Sequence, residues 1–268
     1  MAAAADHGLI LGGAVVAVGL LRLAPALLVA HRVLSGAAAM PRLPRRYPRA
    51  SARATGESPG RRGRVGGRCQ TACMSDAGTD LIDSLLEQRD ALRWKLEGLS
   101  ERDARMPMTP TGTNLLGLVK HVASVTVGYL GDCVGRPFPE ELPWFADTAE
   151  ENADMWAAPG ESMAEILAFW DRAWAHAEAV VRELPLDAPA HVPWWGPERA
   201  DTTLGHLLVR CVAEVARHAG HADIVREAID GAVGHRRAVS DLPEHDEAWW
   251  AAYVERLRAA AEAAGDAR

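Results

Sequence analysis

Glu214, His218 and His221 fall in one short stretch, Glu214-Val-Ala-Arg-His218-Ala-Gly-His221, whose residue types suit metal binding and proton transfer. Spacings that alternate four and three put Leu207, Cys211, Glu214, His218, His221 and Val225 on one seam of a helix packed against other helices. At about 100° per residue, the carboxylate and the two imidazoles lie within a roughly 60° arc. Burying these groups bare costs on the order of several kcal/mol, and one metal ion satisfies all three. Cys211 shares the seam and is a soft-ligand candidate, but a helical cysteine among apolar residues reads first as a small filler.

A further imidazole comes from another segment. His121 sits one turn from both Leu118 and Val125 on a predicted helix that begins near Thr113. Alone it reads as a hydrogen-bonded core histidine; with Glu214 and His218 in the same chain it becomes a candidate ligand. His206 is two turns from Glu214 and rotated by about 80°, so it is left out of the site. His176 reads as an edge residue. Arg217 and Arg226 flank the stretch as candidates for holding carboxylates, against the plain alternative of solvated surface arginines.

Positioning these groups requires helices, and the chain predicts them. Thr79 to Gly98 is amphipathic, with Gly98 as its stop. The helix from Thr113 ends before Gly135-Arg-Pro137. Ser162-Met-Ala-Glu165 is a capping box that opens a third helix. The helix bearing the site starts at an Asp201 or Thr202 cap and stops at Gly231. A last amphipathic segment, Asp246 to Ala264, contains Trp249, Trp250 and Tyr253 and is expected to dock on the others. The long connection from Pro137 to Gly160 holds Trp144, Phe145 and Trp156, and loops of that length are often functional. Val192-Pro-Trp194-Trp195-Gly-Pro is a rigid apolar loop suited to a cavity mouth. The fold class that follows is all-α, with no alternating strand pattern and no glycine-rich phosphate loop.

Charge divides the 268 residues in two. Residues 1–73 carry eleven Arg and no Lys against only Asp6 and Glu57, a balance of +9 that leaves −16 for the remainder. The acidic remainder excludes nucleic acid as the main partner. An apolar run over residues 9–30, interrupted by Arg22 and Pro25, makes a membrane anchor the minor reading. His31 to Arg68 reads as disordered. Met74 directly precedes the first convincing helix, so residues 1–73 are expected to be a disordered or mis-assigned extension of a bundle spanning 74–264. Four scattered cysteines form no disulfide framework and point to a reducing cytoplasm.

Four motifs together carry a resemblance: Thr113-Asn-Leu-Leu-Gly-Leu-Val-Lys-His121, Gly131-Asp132 with Gly135-Arg-Pro137, Val192-Pro-Trp-Trp195, and Glu214-x-x-x-His218-Ala-Gly-His221-Ala-Asp. In order and spacing they resemble the DinB-like superfamily, in its mycothiol transferase branch, over about Asp80 to Tyr253. The resemblance implies a four-helix bundle of DinB-like type, here with an extra C-terminal helix and the N-terminal extension. It also implies a divalent metal held by His121, Glu214 and His218. Many relatives have His where Glu214 stands, whereas the related mycothiol-dependent maleylpyruvate isomerases use Glu. His221 falls where many members carry Gln, as a fourth ligand or a catalytic partner beside the ligands.

Three protein ligands with a free position mark a reactive metal site, whereas structural zinc is closed by four. Zinc is the first expectation for this donor set, with nickel, iron and manganese compatible. The leading expectation is a transferase that activates a low-molecular-weight, mycothiol-like thiol as cosubstrate for attack on a small electrophile, with His221 moving a proton. The alternatives are a metal-dependent hydrolase using bound water and a non-catalytic metal-binding bundle, and a homodimer is compatible with any of the three.

Overall fold

The computed structural model describes residues 76–265 apart from Ala238 and Asp241. The apolar run at 9–30, the Met74 start and the disorder expected of residues 1–73 all lie outside the described residues.

Four long helices form the bundle: α1 (Ala77–Arg93), α3 (Leu115–Leu130), α4 (Met163–Glu183) and α6 (Leu204–Asp230). Shorter elements join them, namely α2 (Glu101–Arg105) and α5 (Pro197–Ala200). Helix α7 (Glu247–Ala264) follows the bundle. All sixteen residues of α3 are buried, as expected of a segment that is apolar around its whole circumference. It packs against both α4 and α6, while α1 packs along α6.

Three of the four long helices, α3, α4 and α6, start where a side chain accepts from a free backbone N–H. Asn114 Oδ1 accepts from the Gly117 N–H at 2.7 Å and opens α3. The capping box at Ser162 and Glu165 is present at the start of α4. Helix α6 begins later than expected. Asp201–Thr203 forms a strand, β2, paired antiparallel with β1 (Pro189–His191) in the register Pro189↔Thr203. Thr202 and Thr203 are β-branched and favour this extended pairing, so the cap falls to Thr203. The small hairpin pins both ends of the loop that carries Trp194 and Trp195.

The C-terminal segment differs from expectation too. Helix α7 forms, with Asp246 as its cap, but it buries none of its residues. Its aromatic face packs on itself, with Trp249 stacked on Tyr253 at 5.3 Å between ring centres. Among the described residues, no helix is long and apolar enough to cross a membrane.

Candidate metal centre

His121, Glu214 and His218 converge between α3 and α6, with one ligand atom from each within 4.8 Å of the others. Glu214 Oε1 lies 3.0 Å from His218 Nε2 and 3.6 Å from His121 Nε2. The two imidazole rings meet edge to face, 4.8 Å apart. Donors bound to one tetrahedral zinc at about 2.0–2.1 Å stand about 3.3 Å apart, which the two observed spacings bracket. Two of the three donor spacings thus suit one divalent cation, and the third donor pair lies within 4.8 Å. Buried His218 Nδ1 has no hydrogen-bond partner among the described residues, so in this structure one of that ring's two nitrogens is unsatisfied.

The α3 half of the site is braced from outside the bundle. His121 Nδ1 lies 2.6 Å from Asp154 Oδ2, and the two residues are only 2% and 5% exposed. A carboxylate that accepts from Nδ1–H turns Nε2 toward Glu214, where it would offer a lone pair once its proton is displaced. Asp154 belongs to the 137–160 connection, which α3 grips along one face. Lys120, fully buried, donates from Nζ to Ala153 O at 2.9 Å, Trp156 O at 3.1 Å and Glu161 Oε2 at 2.7 Å. Asn114 donates to Met155 O at 3.1 Å. Between them, Gly117 lets the loop backbone touch the helix: a Cβ there would lie 1.8 Å from Met155 O.

The electrostatics follow from this enclosure. Burial is the largest influence on His121 and lowers its pKa. The hydrogen bonds and charges of Asp154 and Glu214 together outweigh it, raising the pKa to about 9. Burial likewise pushes Glu214 upward, but His121 and His218 more than reverse this and hold the carboxylate well below its usual range. His218 is shifted down, first by burial and then by the neighbouring His121 and His221, against the pull of Glu214. Without a cation, the proton that His121 retains lies between Asp154 and Glu214 and offsets part of their negative charge.

The structure places the remaining candidates as follows. His221 is exposed, one turn along α6, with its ring 5.3 Å from that of His218, and it lies outside the converging trio. Cys211 is buried, its thiol pushed up by that burial, and it acts as core filler. Arg226 is buried and committed, donating to Lys95 O and Glu97 O and pairing with Asp230, so it is not free to hold a ligand carboxylate. Arg217 is exposed. Trp144 donates to Ser124 Oγ on α3 at 2.9 Å and Phe145 is buried in the core, while Trp156 is 39% exposed. Asp154 is the residue that sequence reasoning missed. Only the unusual length of its loop hinted at a role, since an acid in an aperiodic segment has no spacing to betray its partner.

A family model described as Mycothiol-S-transferase matches residues 80–231, more than half of the chain. The chain belongs to this family. The matched span runs from α1 through the whole of α6 and so includes His121, Asp154, Glu214, His218 and His221. A comparison with curated proteins found no match.

Proposed function

We propose that this chain is a metal-dependent S-transferase in which His121, Glu214 and His218 hold a divalent cation, zinc foremost. Its cosubstrates are a low-molecular-weight, mycothiol-like thiol and a small electrophile. The observation that carries the reading is the convergence of three donors from two helices, within 4.8 Å, in a member of a mycothiol S-transferase family. The functional unit is residues 74–264.

A cation on this triad supplies Lewis acidity that lowers the pKa of a thiol beside it, so that thiolate is present at neutral pH. The residues do the rest. Asp154 fixes the His121 tautomer and keeps Nε2 aimed at Glu214. Glu214, held ionised, contributes a carboxylate oxygen and a compensating negative charge. His221, exposed beside His218, accepts the thiol proton on a ring nitrogen and passes it to solvent. The sulfur lone pair then forms the S–C bond to the electrophile, and the bond from that carbon to its leaving group breaks, the electron pair departing with the leaving group, which takes a proton from solvent.

The test is turnover of a generic electrophile by the full chain with and without an added small thiol, before and after chelation. Consumption that requires both thiol and returned metal supports the reading. Metal-dependent consumption without thiol would instead assign bound water as the nucleophile.

A further inference from the structure

A cavity of about 250 Å³ lies where the hairpin meets the first turns of α6, lined by Trp195, Arg199, Asp201, Thr202, His206 and Arg210. Its charge is unbalanced. The guanidinium carbons of Arg199 and Arg210 stand 5.8 and 5.7 Å from the centre of the Trp195 ring, and both side chains line the one cavity. Among the described residues, neither guanidinium makes a salt bridge or a hydrogen bond to a side chain. Asp201, the carboxylate in the lining, is largely exposed, places Oδ1 2.7 Å from His191 Nδ1, and offsets one of the two cationic charges. The His206 ring meets Trp195 edge-on at 5.8 Å and adds a further ring N–H.

Two like charges around one ring repel, and an exposed cation–π contact offsets that only weakly. An anion between them removes the repulsion and takes up the planar forks of both side chains. Trp195 supplies a flat apolar wall for whatever the anion is attached to. The volume lies below the roughly 300–1,000 Å³ of drug-sized pockets, which selects a ligand of about one ring.

We propose that this cavity binds a small aromatic carboxylate, its charge between Arg199 and Arg210 and its ring against Trp195. His206, Arg210 and Glu214 follow one another at four-residue intervals on α6, so the cationic wall begins one turn, about 6 Å along the axis, from the metal triad. On the function proposed above, and resting on it, the occupant is the electrophile, and the enzyme selects electrophiles bearing a carboxylate.

Calorimetric titration of the full chain decides the binding claim independently of any turnover. Benzoate, its neutral isostere benzamide, and inorganic phosphate are titrated into wild type and an Arg199→Gln/Arg210→Gln variant, with and without prior chelation. Benzoate is expected to bind wild type at least about tenfold more tightly than benzamide or phosphate, whether or not metal is present, and to lose at least about tenfold in the variant. Melting temperature and metal content of the variant establish that it is folded; if the double variant fails that check, Arg210→Gln alone is used, with the same direction expected. Equal binding of benzoate and benzamide, unchanged benzoate binding in the variant, or no benzoate binding to wild type would overturn the proposal. Phosphate binding as tightly as benzoate would overturn the aromatic part. A metal-free but benzoate-binding protein would sink the transferase reading while leaving this site in place.

Discussion

Helices α3 and α6 supply the same centre under opposite conditions. The α3 side is enclosed: every residue of the helix is buried, and His121 is clamped by Asp154 from a loop that Asn114, Gly117 and Lys120 hold down. The α6 side is more open: His218 is buried, but Glu214 is only partly buried and His221 is exposed. On the function proposed, one wall would fix where a cation sits, and the other would leave room for what it acts on. This division matches what a reactive centre requires, a rigid frame and an accessible face.

Substitutions that strike the rigid wall should therefore cost metal affinity, and those on the open wall should cost chemistry. The largest effect is expected from Gly117→Ala. Its Cβ collides with the Met155 carbonyl, so the loop must lift and take Asp154 with it. Calorimetry should show a destabilisation of about 2–4 kcal/mol, and metal titration an affinity loss exceeding that of any single loop residue. Asp154→Asn should keep the fold and weaken metal binding by about 10–100-fold, read from competition with a coloured chelator.

Acidity gives a third handle. His121 in the cation-free protein has its pKa raised from 6.5 to about 9, so its extra stability is fully present below pH 6.5 and is lost as pH rises through 9. Metal binding has the opposite slope, because the cation must displace that proton. Apparent affinity should rise about tenfold per pH unit between roughly 7 and 9, and the slope should flatten in Asp154→Asn. The smallest effect on metal is expected from His221→Ala. Affinity should change by less than about twofold, while thiol-dependent turnover falls by about 100-fold or more. Equal losses of metal in His221→Ala and Asp154→Asn would erase the distinction between the two walls.

Much of this arrangement is legible in the chain because helices write periodic patterns. Leu118 and Val125 place His121 on an interior face, the alternating seam of α6 places Glu214 and His218 there too, and Ser162 with Glu165 marks the start of α4. The brace is not legible. Asp154 follows Glu150, Glu151 and Asn152 in a loop, and only the folded contact 33 residues away distinguishes it from its acidic neighbours. Buried Lys120 hides for the same reason: a lysine in an apolar helix reads as an exception until Glu161 and two carbonyls are seen around it. Strands β1 and β2 are three residues each, too short for alternation to register. In α7 the pattern predicts a helix correctly and a buried face incorrectly, because amphipathicity specifies a face to cover but not what covers it.

The central claim is that α3 and α6 jointly hold one cation, and elemental analysis of the full chain tests it most directly. Wild type, His121→Ala and His218→Ala are loaded with zinc, desalted and compared by mass spectrometry of the metal, with circular dichroism establishing that all three are helical. The account predicts one ion per wild-type chain and less than about a tenth of that in either variant. Equal metal in all three proteins, or none in the loaded wild type, would contradict it.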